Sequence, residues 1–209
     1  MNPLRRPFRY RYSGVVLWLV GINILVFLLG QLFGRLYIDW FFSMIPALVI
    51  TRYWLWTFVT YMFVHDSFAH IFFNMFALFV FGIQVERRMG SKEFLLFYLV
   101  SGILAGFFSF VVYAATNDYN TSLMGASGAI FAVQLAYAVY YPNSIIYLWG
   151  LLPLRAPVMV LGFTAIELFF MISRQGGNVA HITHLAGFGF AWLYFLIRLG
   201  INPIQAWRR

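Results

Sequence analysis

Four histidines occur in the 209 residues, and all fall in two short runs: His65 and His70 in HDSFAHIFFN, and His181 and His184 in HITHLAG. Asn74 follows His70 by four positions, so both project from one face of a helix; His181 and His184, three apart, share another. Ser127 stands in MGASGAI between Gly125 and Gly128, small residues that let a second backbone come close. A serine hydroxyl is a weak nucleophile until a neighbouring base takes its proton. Histidine titrates in the range that suits that task. The tetrahedral species formed by serine attack needs donors aimed at its oxygen. A backbone N–H at the start of the helix that Ser127 opens, with the side chains of His70 and Asn74, would supply them. The chemistry open to this set is acyl transfer to water, the hydrolysis of a peptide bond. By itself Gly125-Ala126-Ser127-Gly128 is a weak signal, because position 129 is alanine and the G-x-S-x-G elbow of soluble hydrolases is not formed.

The elements that must position these residues are membrane spans. The chain is 63% hydrophobic and only 10% charged, too little charge for a soluble surface. Its apolar residues fall in blocks of about 15 to 22, the length that crosses a hydrocarbon core roughly 30 Å thick. Six blocks are drawn: Val15–Gly34, Phe63–Val85, Phe94–Ala115, Ser127–Tyr141, Ala156–Ile172 and His181–Leu199. The breaks between them are rich in turn formers, notably Thr116–Ser122, Pro142–Ser144 and Gln175–Asn178. The first block is too long for a signal-peptide core and no small-residue cleavage site follows it, so it is read as a retained span. The fold class is all-α, a polytopic six-helix bundle: a basic segment over 1–14, the spanning unit over 15–200 and a basic tail over 201–209. There is no cysteine, which excludes disulfides and thiolate chemistry.

A net charge of +8 invites a nucleic-acid reading, but the basic residues flank the apolar blocks, which is a topology signal. With six spans, one face carries Arg5, Arg6, Arg9, Arg11, Arg87, Arg88, Lys92, Arg155, Arg198, Arg208 and Arg209, and the other Arg35, Arg52 and Arg174. That asymmetry of 11 to 3 places both termini in the cytoplasm. The segment Arg35–Trp56 is long, aromatic and only partly polar, suited to the outer interface.

Depth then tests whether one site is formed. About 15 residues separate Ser127 from Pro142, roughly 22 Å of helix, so Ser127 begins a helix on the order of 8 Å below the outer surface. His184 lies roughly 9 Å deep in span six, and His70 and Asn74 roughly 6 and 12 Å deep in span two. Spans two, four and six run in the same direction, so all four residues meet one level on one side. Polar groups in hydrocarbon mark functional sites by default, although a single one often serves only to hold helices together.

The runs His65-x4-His70-x3-Asn74, Gly125-x-Ser127-Gly128 and His184-x2-Gly187, in that order on spans two, four and six, resemble the rhomboid intramembrane proteases. Glu86-Arg87-Arg88-Met89-Gly90 is similar to that family's E-x-R-x-G turn, and Trp56 to the tryptophan of its embedded first loop. The resemblance implies a Ser–His dyad without a third acidic member, Ser127 being the nucleophile and His184 the base, with His70, Asn74 and Ser127 at the oxyanion. It implies membrane-anchored protein substrates cut within or near a transmembrane segment, lateral substrate access beside span five, and water reaching the site from the outer side of a prokaryotic cell membrane. No cofactor and no metal is needed. The sequence departs from the pattern at Phe131, where several relatives carry a tyrosine that stacks on the histidine, at Trp56-Thr57, and at Ala191 in place of a glycine.

His184 is preferred to His181 as base because it is deeper and has Gly187 one turn below it. His181 and His65 are read as supporting or interfacial, with Gly125, Gly128, Phe131 and Gly187. A zinc protease is set aside because neither histidine run contains the Glu of H-E-x-x-H. A transporter is set aside because Glu167 in span five has no evident charged partner in the other spans and no inverted repeat accompanies it. A catalytically inactive rhomboid-like protein that only binds membrane clients is the remaining alternative.

Overall fold

A computed structural model describes residues 5, 8–148, 150–173 and 181–208. The first long helix, α1 (Val15–Phe33), starts where a buried carboxylate meets its free amides. Glu86 accepts the Val15 N–H at 2.7 Å and the Val16 N–H at 3.0 Å. An anion at a helix N-terminus satisfies orphan donors and the macrodipole together. Two short helices, α2 (Arg35–Phe42) and α3 (Pro46–Arg52), and the single turn α4 (Thr57–Thr60) form the aromatic segment. Its rings cluster, with Trp54 edge-on to Trp40 at 4.5 Å and tilted against Trp56 at 5.1 Å.

The second span, α5 (Phe68–Met89), opens at Ser67, whose hydroxyl caps the His70 N–H at 3.2 Å. It therefore begins five residues later than the apolar block Phe63–Val85, because 61–63 closes as a tight 3-10 turn first. Then come α6 (Ser91–Ala115), α7 (Ser127–Tyr140), α8 (Ala156–Ser173), α9 (His181–Leu199) and the terminal turn α10 (Pro203–Trp207). Five of these helices are long and apolar enough to cross a membrane, and α7 is a sixth, shorter apolar helix. Arg174 and the expected turn Gln175–Asn178 lie outside the described residues.

Eleven of the 14 residues of α7 are buried, so it forms the axis of the bundle while the long helices face lipid. Fourteen residues make about 21 Å of helix, short of a core roughly 30 Å thick. The backbone leading into α7 therefore runs at depth, where irregular chain is tolerated only under protein cover. That cover is the segment around α3 and α4. Met44 and Leu123 exchange backbone bonds, the Ala47 N–H reaches the Tyr119 carbonyl at 2.9 Å, and the Gly125 N–H reaches the Tyr61 carbonyl at 2.9 Å.

A two-stranded antiparallel hairpin, β1 (Ile145–Leu148) and β2 (Leu152–Arg155), joins α7 to α8, with Ile145 opposite Arg155. The sequence reading has no strand here. Pro142 ends the preceding helix, and the β-branched pair Ile145-Ile146 favours an extended chain too short to span.

Candidate active site

Ser127 is the first residue of α7, and the two residues before it set its position. Gly125 has φ +111°, a backbone that L side chains rarely adopt, and a Cβ there would come within 2.6 Å of the His70 Nε2. Glycine thus lets the imidazole of α5 lie against the chain two residues before the serine. The first bond within α7 is Ile130 N–H to the Ala126 carbonyl at 3.0 Å, which leaves the amides of Ser127 and Gly128 at the helix mouth without intrahelical partners.

Helix α9 approaches α7 at its start because neither backbone carries a side chain at the contact. A Cβ on Gly187 would fall on the Gly128 carbonyl, and one on Gly128 would meet the Thr183 methyl at 2.9 Å. This approach brings His184 Nε2 to 2.7 Å from Ser127 Oγ. Phe131, one turn along α7, stacks on His184 with centroids 4.3 Å apart and planes 10° from parallel. The lost tyrosine hydroxyl at that position leaves the stacking geometry in place.

His70 pairs its Nδ1 with Asp66 Oδ1 at 2.8 Å, and Asn74 donates to the His70 carbonyl at 2.9 Å. Burial pushes the Asp66 carboxyl up, but the bond and charge of His70 outweigh it and hold the group below its ordinary value. His65 is packed edge-on to His70 at 4.9 Å, and neither of its ring nitrogens has a hydrogen-bond partner. Burial, and then the neighbouring His70, lower its pKa to about 3, so it stays neutral beside His70.

Glu167 overturns the expectation that it has no charged partner. Its carboxylate reaches from α8 to both histidines of α9: Oε1 to His184 Nδ1 at 3.0 Å and Oε2 to His181 Nδ1 at 2.6 Å. The sequence reading missed this because residues on different helices have no fixed spacing. The available signal was an acid among apolar residues at a spacing that shares a helical face with Val160, Phe163 and Phe170. Glu167, His181 and His184 are also the described residues whose ligand atoms lie within 4.8 Å of one another. Hydrogen bonds join the facing atoms, so one carboxylate is shared between two imidazoles.

A family model described as the Rhomboid domain matches residues 52–201. The chain is 30% identical over 145 residues to the putative rhomboid protease YdcA of Bacillus subtilis (strain 168), covering 68% of each. It is 32% identical over 159 residues to the rhomboid protease AarA of Providencia stuartii, covering 66% of this chain and 56% of that protein. It is 30% identical over 204 residues to RHOMBOID-like protein 12, mitochondrial, of Arabidopsis thaliana, covering 88% of this chain and 59% of that protein.

Proposed function

The chain belongs to the rhomboid family, and from that premise we propose that it is an intramembrane serine endopeptidase with Ser127 as nucleophile and His184 as general base. The observation that carries this reading is the 2.7 Å separation of Ser127 Oγ and His184 Nε2, contributed by two different membrane helices. At that distance the hydroxyl proton passes to Nε2 as Oγ bonds to the scissile carbonyl carbon. The oxygen that becomes anionic faces the unpartnered amides at the mouth of α7, with the side chains of His70 and Asn74 as the further donors. The proton on Nε2 then goes to the leaving amine, and water completes hydrolysis of the acyl-serine with His184 as base again.

The substrates are membrane-anchored proteins, since the site is carried by helices embedded in the bilayer. The charge asymmetry supports a topology with both termini in the cytoplasm and the site toward the outer side. The rival reading, an inactive rhomboid-like protein that binds clients, has a direct discriminator. Treated with a fluorophosphonate in bilayers, the wild type is labelled covalently and Ser127→Ala is not. Equal labelling of the two removes Ser127 from the role, and no labelling of either favours the inactive reading.

A further inference from the structure

We propose that Glu167 is the positioning acid of the site, completing a Ser127–His184–Glu167 relay in which one carboxylate holds two imidazoles. The proposal rests on the endopeptidase reading and goes beyond its two-residue mechanism. For Ser127 to give its proton to His184, Nε2 must carry a lone pair, so the neutral ring must carry its proton on Nδ1. That tautomer points Nδ1–H at Glu167 Oε1, 3.0 Å away. The other tautomer would set a ring lone pair against a carboxylate oxygen, which is repulsive. The carboxylate therefore selects the tautomer that catalysis needs, and it faces the positive charge that His184 acquires when Ser127 attacks. The proton stays on Nδ1 throughout, and Glu167 stays ionised.

Three further features support a placed group. Glu167 and both histidine side chains are only 11–12% exposed, so little water competes for their bonds. Beyond Val160, α8 has no buried residue, yet it directs this acid inward between Phe163, which packs on Phe131, and Phe170, which stacks on His181. His181 donates to Oε2, which fixes the carboxylate plane. Its own Nε2 is buried without a partner, so a second proton on that ring would be poorly placed. The titratable groups that meet the His184 ring are Glu167 from α8, Ser127 from α7 and, with ring centroids 6.5 Å apart, His181 from its own helix.

The test compares full-length wild type, Glu167→Gln, Glu167→Asp and His181→Gln on a transmembrane substrate in bilayers, with Ser127→Ala as blank. Glu167→Gln should lower kcat roughly 10²- to 10⁴-fold with KM little changed, as expected when a base loses its orienting acid. Glu167→Asp should recover part of the loss, and His181→Gln should lose less than Glu167→Gln. Wild-type kcat in Glu167→Gln overturns the proposal alone. Wild-type activity no greater than that of Ser127→Ala overturns the endopeptidase reading as well. If Glu167→Gln fails to fold, nitrogen-15 histidine spectra of the wild type decide. They should show the Nδ1–H tautomer at His184, and Nε2–H there contradicts the relay. Activity lost to a chelator and restored by zinc replaces it with a metal centre.

Discussion

The two ends of the bundle both bury carboxylates, and they match them with different kinds of donor. At the end near Gly90, Glu86 accepts two backbone amides of α1 and the Ser91 hydroxyl. Beside it Glu93 accepts Arg198 Nε at 2.8 Å, the Tyr194 hydroxyl and the Phe8 N–H. None of those donors gives up its proton near neutral pH, so these charges are fixed and tie the N-terminal segment, α5, α6 and α9 together. At the other end the ion-pair partners of Glu167 among the described residues are two imidazoles. A neutral imidazole carries its one proton on either nitrogen, so there the carboxylate biases where that proton resides instead of pinning a helix end. The same residue type thus serves stability at one end and proton placement at the other.

The comparison can be broken most severely at the contact that assembles the reactive end. Gly187→Val puts side-chain atoms where the Gly128 carbonyl lies. A misplacement of about 1 Å costs on the order of 10²-fold, so cleavage should fall by at least that factor while fluorophosphonate labelling falls in parallel. Full activity would mean that the two helices need not touch at that point. Asn74→Ala should lower kcat roughly 10- to 1000-fold, the range for loss of one oxyanion donor. An unchanged kcat would remove Asn74 from the site.

The opposite end should respond in stability alone. Glu86→Gln weakens charge-assisted bonds, each contributing about 1.5–3 kcal/mol, so Tm should fall while kcat per folded molecule stays within about threefold. A selective loss of kcat with unchanged Tm would erase the distinction between the two ends. The smallest effect concerns His65. Its ordinary pKa of 6.5 drops to about 3 in the fold, so between those values the unfolded chain binds the extra proton. Stability is then lost as pH falls through about 6.5, by at most roughly 1.4 kcal/mol per unit. Tm should decline from pH 7 to pH 5 less steeply in His65→Gln than in the wild type; parallel slopes would contradict the buried neutral ring.

Much of this arrangement is legible in the sequence, and what is not has physical reasons. Apolar block length gives the spans, because the hydrocarbon thickness fixes the number of residues that cross it. Helical rise leads to the expectation that Ser127, His184, His70 and Asn74 share one level, and the structure joins Ser127 to His184. Contacts between helices carry no such rule, which is why the Glu167 partners were missed, and why Glu86 reads as a turn motif and not as the cap of α1. The start of α5 shifts to Phe68 because Ser67 caps it, a local bond that hydropathy does not register. The hairpin over 145–155 is too short for any periodicity to declare it.

The central claim, that Ser127 and His184 act as one proton-sharing pair across α7 and α9, is tested most directly by single-turnover cleavage. A transmembrane substrate in bilayers should be cut by the wild type, while folded Ser127→Ala and His184→Ala each cut it at least about 10³-fold more slowly. Wild-type rates from either folded variant would contradict the account.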